Sequence, residues 1–154
     1  MINPTALIKH EIELIGRFVA LLREEQGALG KADASALPAI LIKKSEIVEA
    51  LNGAARQRNA WLTGSGYAAD QAGMSAWLAA NPSNKAVREA WGKLLELARE
   101  AHALHQQNGQ LVAIHLQATT EALAVLNQQA QKNALYGPDG QSSGLTGYRV
   151  IDSA

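Results

Sequence analysis

WGKLLELAREAHALHQQNGQLVAIHLQATTEALAVLNQQA, residues 91–130, decides the fold. Within it Trp91, Leu95, Ala98, His102, His105, Gly109, Val112, Leu116, Thr119, Leu123, Leu126 and Ala130 follow one another in alternating steps of four and three. That spacing places residues on one face of an α-helix. The phase passes through Asn108-Gly109 without a reset, which a turn would impose. A single helix from about 83 to about 132 is therefore expected, with Gly109 a weak point costing about 1 kcal/mol against Ala. At 1.5 Å per residue such a rod is roughly 75 Å long, so part of it is expected to overhang its neighbours or to need another partner.

Upstream, two further long helices are legible. Asn3 is a good N-cap and Pro4 fits a first helical turn. Ile8, Ile12, Ile15, Val19, Leu22 and Leu29, with Phe18 beside them, then form one apolar stripe, and Gly27 and Gly30 place its end near residue 30. The second helix is expected to be capped by Asp33 or Ser35, with Pro38 in its first turn. Leu37, Leu41, Val48, Leu51, Ala55 and Leu62 keep its phase, and Ile40, Ile47, Ala54 and Trp61 line an adjacent stripe. Two apolar stripes imply packing on two sides. Thr63-Gly64-Ser65-Gly66 ends it by turn chemistry. Residues 67–82 read as a connector with one short helix, capped by Asp70, apolar at Met74, Trp77 and Leu78, and stopped at Asn81-Pro82, which repeats the opening Asn-Pro signal. Trp77 and Trp91 are expected to pin this segment to the bundle. The fold class is thus all-α: an antiparallel bundle of three long helices plus one short connecting helix over 1–132. A flexible tail is expected over 133–154, where Gly137, Pro138, Gly140, Gly144 and Gly147 forbid further helix.

Composition agrees. The 154 residues suit one domain, 29 are Ala and 20 are Leu, and only 5% are aromatic. Lys plus Arg and Asp plus Glu are each 14, so the net charge is zero and neither nucleic acid nor an acidic membrane surface is the default partner. No run of about 18 apolar residues predicts a membrane span. The opening Met1-Ile2-Asn3-Pro4, followed by Lys9, His10, Glu11 and Glu13, does not read as a secretory signal. The absence of Cys removes disulfides, Cys-ligated zinc and thiol nucleophiles, and it suits a reducing cytoplasm.

Charge is unevenly distributed. Of 28 charged residues, 23 lie in 1–100, and between Ala101 and Gln131 the single formal charge is Glu121. A solvated helix ordinarily carries Glu, Lys and Arg, whereas the cores of protein interfaces are depleted of them. This half of the last helix, with its Leu, Ala, Thr and Gln surface, is expected to meet a protein partner. The bland alternative is a buried central helix.

Chemistry finds little support. His102 and His105 share a helix face and His115 lies further on, but the nearest carboxylates, Glu100 and Glu121, do not stand at a ligand spacing from them. Ser65, Ser142 and Ser143 sit in Gly-rich loops without a nucleophile elbow, and Gly137-Pro138-Asp139-Gly140 is a turn, not a phosphate or calcium loop. Glu24 and Glu25 are adjacent on a helix and point apart. Neither an enzyme, a cofactor nor a metal site is expected.

The order of features, however, resembles the FlgN family of flagellar type III export chaperones. The resemblance covers nearly the whole chain: an N-terminal amphipathic helix, Leu51 to Leu62 with Arg58, Trp77-Leu78, Asn81-Pro82, Arg88 and Trp91. Its more specific parts are Asn108-Gly109-Gln110-Leu111, Leu123 to Leu126, and Leu135-Tyr136-Gly137-Pro138-Asp139-Gly140-Gln141. It implies a cytoplasmic helical chaperone, not an enzyme, that binds the C-terminal helical segments of the hook–filament junction proteins FlgK and FlgL, prevents their premature assembly and delivers them to the export gate. The family binds substrate toward the C-terminus, which maps here onto the charge-poor helix and the tail. Leu111, Ile114, Leu116, Leu123, Val125 and Leu126 are then the expected helix contacts, some of them facing the bundle instead. Leu135, Tyr136, Leu145, Tyr148, Val150 and Ile151 are expected to order on binding, with Tyr136 a candidate contact to the gate. The competing reading is a structural coiled-coil protein that uses the uncharged helix to self-associate.

Overall fold

The computed structural model describes residues 2–135. They form four helices and no strand: α1 (Pro4–Gly30), α2 (Leu37–Gly64), α3 (Gln71–Ala80) and α4 (Lys85–Leu135). The all-α architecture of three long helices and one short connector is as expected, and α4 runs unbroken through Asn108-Gly109.

Local chemistry explains the boundaries. The Asn3 side chain accepts from the Thr5 and Ala6 N–H groups at 3.0 and 3.4 Å, which satisfies donors the first turn leaves free. α1 ends in a Schellman turn: the Ala32 N–H donates to Leu29 and the Asp33 N–H to Ala28, with Ala32 left-handed at φ 52°. α2 ends in the same turn, Gly66 donating to Thr63 and Tyr67 to Leu62, with Gly66 at φ 86°. Asp33 and Ser35 do not cap α2 as expected. Its N-cap is Ala36, without a side-chain bond, because Asp33 Oδ1 is taken by the Ser35 hydroxyl and N–H. Asp70 caps α3 by accepting from Gly73 N–H at 2.7 Å. Asn81 closes α3 through its amide, which donates to the Trp77 carbonyl at 2.8 Å. The Asn-Pro pair at 81–82 therefore does not start α4. Asn84 does, accepting from Val87 N–H at 3.3 Å.

By contact the chain divides into two units, residues 1–111 and 112–154. The first is an up–down–up bundle. Glu11 pairs with Arg58 and Glu25 with Lys44, so α2 runs antiparallel to α1. Arg58 stacks over Trp91, while Leu22 and Glu25 meet Asn108, so α4 runs parallel to α1. The core joins Ile8, Ile15, Val19 and Leu22 of α1 with Leu62, Met74, Trp77, Val87, Leu94, Ala101 and Leu104. The α1 stripe is thus buried as read. Trp77 does hold α3 to the bundle, but through Trp61, edge-on at 5.0 Å, while Trp91 belongs to Arg58.

On α2 the second of the two expected stripes is the inward one, and on α4 the buried face lies a step from the expected stripe. On α2 the inward face is Ile40, Lys44, Ile47, Leu51, Ala54 and Arg58. Leu41 and Val48 are 54% and 40% exposed, so the first stripe reaches the core only toward its end, at Leu51 and Leu62. On α4 the buried residues are Val87, then Ala90, Leu94, Ala101, Leu104 and Asn108, the last five each one position before Trp91, Leu95, His102, His105 and Gly109. Both faces of α4 carry the same period. The choice falls to the face whose one polar member, Asn108, finds partners on α1: its amide donates to the Leu22 carbonyl and to Glu25 at 2.9 and 2.8 Å. An amide with such partners is tolerated at a seam.

The described part of the second unit is α4 from Val112 to Leu135. No residue between 112 and 133 is buried, and His115 alone is half-buried.

Candidate functional site

The charge-poor half of α4 presents its apolar side chains to solvent. Val112, Ile114, Leu116, Leu123, Val125 and Leu126 are 46–66% exposed. A helix advances about 100° per residue, so these do not share one face. Val112, Leu116, Thr119, Leu123 and Leu126 form a continuous stripe, whereas Ile114 and Val125 lie nearly opposite. Of the residues expected to touch a partner, Leu116, Leu123 and Leu126 are brought together. Leu111 is half-buried at the end of the bundle, and Leu135 is the last residue of α4. Tyr136, Leu145, Tyr148, Val150 and Ile151 lie outside the described residues. The stripe also contains Val112 and Thr119, whose 3–4 spacing marked them but whose role as contacts was not read. Polar members stay quiet: Gln117 donates to Glu121 at 3.1 Å, and the Thr119 and Thr120 hydroxyls return to the His115 and Leu116 carbonyls at 2.9 Å.

A second surface belongs to the bundle itself. Between α2 and α4, over α1, an open groove is floored by Ile15 and Phe18 and walled by Val48 and Leu51 on one side and Ala98, Ala101, His102 and His105 on the other, enclosing about 410 Å³. It continues, through the shared Ile15, Leu51 and Ala98, into about 320 Å³ beside Glu11, Arg58, Trp91 and Leu95. This is where Trp91, Leu95, Ala98, His102 and His105 point: the stripe read from the sequence lines the groove instead of the core.

At one end of the groove Glu11 is buried, with one carboxylate oxygen 2.5 Å from Arg58 and the other, Oε1, without a hydrogen-bond partner. Burial pushes its carboxyl above the usual range, against the opposing pull of Arg58. Exposed Asp33 is shifted the other way, mainly by the Ser35 hydroxyl that donates to it. Among the described residues no group of three or more His, Asp or Glu is placed to hold a metal ion, and no helix is long and apolar enough to cross a membrane.

The surfaces described are apolar helix faces. The family profile described as FlgN protein matches residues 1–144. This chain belongs to the FlgN family. Its relatives there include the flagella synthesis protein FlgN of Proteus mirabilis, 28% identical over 134 residues, 86% of this chain and 84% of that one. The flagella synthesis protein FlgN of Yersinia enterocolitica is 41% identical over 61 residues. That match covers 40% of this chain and spans only about two fifths (41%) of the Yersinia protein's own length. A crystal structure of a Pseudomonas aeruginosa protein described as a flagella synthesis protein FlgN shares the fold, with a TM-score of 0.63 at 22% identity over 82% of this chain and 98% of that one. The relatives named are flagella synthesis proteins, and the helical architecture derived above is shared with the Pseudomonas structure.

Proposed function

We propose that this FlgN-family protein is a cytoplasmic export chaperone, not an enzyme, whose cargo is the C-terminal helical segment of the hook–filament junction proteins FlgK and FlgL. It keeps them from assembling early and delivers them to the flagellar export gate. The observation that carries the reading is the Val112–Leu126 stripe: five residues in helical phase, apolar or Thr, in a stretch whose single formal charge is Glu121. A cargo helix laid along it buries apolar surface without stripping hydration from ions. Tail residues Tyr136, Leu145, Tyr148, Val150 and Ile151 order on binding, and the entropy of ordering them keeps affinity low enough for release. Tyr136 is the residue assigned to the gate.

Mixing the purified protein with FlgK and with FlgL from the same cell tests this. A stable complex with at least one is expected; no complex with either overturns the function. Repeating the mixture with residues 133–154 removed is expected to weaken binding, and unchanged binding overturns the part given to the tail.

A further inference from the structure

Two asparagines of the chain precede a glycine, at Asn52-Gly53 and Asn108-Gly109. Asn-Gly is the dipeptide best suited to internal imide formation, because no Cβ on the second residue hinders its nitrogen from approaching the side-chain amide. Both pairs lie inside helices, one in α2 and one in α4. In a helix the backbone holds the glycine nitrogen off the line of attack, and its N–H is committed to the carbonyl four residues back. The surroundings of the two pairs differ. Asn52 is exposed, whereas Asn108 is 2% exposed. The Asn108 Nδ2 donates to the Leu22 carbonyl and to Glu25 Oε1 at 2.9 and 2.8 Å, which pins the amide against α1. Its Oδ1 has no hydrogen-bond partner, so the negative charge that attack on Cγ builds there meets no donor in the closed seam.

We propose that Asn108 is a self-modification site held latent by the seam between α1 and α4. When α4 lifts from α1 and its turn at Asn108 opens, the Gly109 nitrogen bonds to Asn108 Cγ and the Cγ–Nδ2 bond breaks. The Gly109 amide proton leaves with Nδ2 as ammonia. Water then opens the imide. Cleavage at the Cγ–N bond gives aspartate, and cleavage at the main-chain carbonyl gives isoaspartate. Neither product fits the closed seam. Aspartate puts a carboxylate oxygen where Nδ2 had met two acceptors, the Leu22 carbonyl and Glu25. Lys44 Nζ, 3.0 and 2.9 Å from the two Glu25 oxygens, is then faced by two carboxylates, and one of them must take up a proton or move out to water. Isoaspartate adds a methylene to the main chain and breaks the hydrogen-bond ladder of α4. The conversion runs one way, so a chain that has been open keeps a weakened seam at Leu22 and Glu25.

The test uses the whole chain, incubated at mildly alkaline pH in buffer and in urea that unfolds it. Peptide mapping by mass spectrometry follows the amide-to-acid mass gain at each pair. In urea the two pairs are expected to convert at similar rates. In buffer Asn108 is expected to convert at least about tenfold more slowly than in urea, because reaction waits for an opened state, and more slowly than Asn52. Conversion of Asn108 at one rate in both conditions overturns the proposal, as does conversion ahead of Asn52 in buffer or none in urea. The consequence is read on Asn52→Gln, a change at an exposed position that leaves Asn108-Gly109 the one Asn-Gly pair. After urea is removed, ion exchange separates chains by their added negative charge, and the peptide map identifies those converted at Asn108. These are expected to fail to refold or to melt at a lower temperature than unconverted chains from the same incubation. An equal midpoint overturns the claim that the seam rejects the products.

Discussion

At the scale of single residues, the two Schellman turns form a natural comparison. α1 and α2 end with the same pair of backbone hydrogen bonds, yet the left-handed position is Ala32 in one and Gly66 in the other. A Cβ in that conformation crowds the neighbouring carbonyl, and Gly escapes the strain at some cost in unfolded-state entropy. Ala32→Gly is therefore expected to stabilise the protein by about 1 kcal/mol and Gly66→Ala to destabilise it by about the same, measured by urea unfolding. Equal signs for the two would show that the turn does not demand the left-handed residue. Gly73 is constrained for a different reason. A Cβ built there would lie 1.8 Å from the Ala68 carbonyl oxygen, so the backbone before α3 can follow its path only over a glycine. Gly73→Ala is expected to cost about 3 kcal/mol or more and to loosen the Trp61–Trp77 contact, seen as a change in tryptophan emission. An emission spectrum and stability like those of the parent would refute the close approach.

Among the elements, register is set by two charged clasps. Glu11 and Glu25 are fourteen residues apart on α1, as are Lys44 and Arg58 on α2, and they pair in antiparallel order. Sliding α2 by a turn would strand four charges in a seam that is otherwise apolar, which is how buried polar groups fix alignment. Lys44→Met alone, leaving buried Glu25 with only Asn108, is expected to cost about 3 kcal/mol. Glu25→Leu with Lys44→Met is expected to recover most of that, so that the two changes couple strongly in a double-mutant cycle; simple additivity would refute the clasp. Glu11 adds a pH signature. Its carboxyl is raised above 4.5 by burial, so the native state binds its proton more tightly than the unfolded chain does. That contribution to stability is fully present below about 4.5 and is lost as pH rises through the raised value. Glu11→Gln is expected to flatten the stability-against-pH curve in that window, and an unchanged slope would show that Glu11 is not its source. These clasps also mark the limit of what was legible. Helix number, lengths and the α1 stripe follow from apolar period alone. The buried faces of α2 and α4 do not, because each helix carries two stripes of similar hydropathy, and the choice was made by Lys44, Arg58 and Asn108 finding partners on α1. Glu11 lies in phase with Ile8 and Ile15, and Glu25 with Leu22 and Leu29. That coincidence of charge with stripe was the signal available, and it needed α2 beside it to be read. The stripe on α4 was correctly seen as a face, but the first half of that face lines a groove and the second half is exposed.

On the whole molecule, charge and apolar exposure divide the chain in the same place. Most charges lie in the first hundred residues, on the helices of the bundle, and the large apolar residues left bare beyond Leu111 lie in the stretch that has almost none. On the proposed function, stability and recognition are carried by different surfaces, which makes them separable by substitution. Leu116 and Leu123 are 66% and 46% exposed, so Leu116→Lys with Leu123→Lys removes little that holds the fold, and the unfolding free energy is expected to stay within about 0.5 kcal/mol per site. The same pair places two cations on the stripe where a cargo helix must exclude water. Losing about 1.4 kcal/mol or more of binding there means at least a tenfold weaker complex with FlgK or FlgL by calorimetry. Ile114→Lys with Val125→Lys makes the control on equal terms: these positions are 61% and 55% exposed, they lie within the same charge-poor stretch, and they face the other way. If recognition belongs to the stripe, the control pair leaves affinity within about threefold, because rim charges contribute little to a contact they do not enter. If the two pairs weaken binding alike, general hydrophobicity of the segment explains recognition and the single-face reading falls.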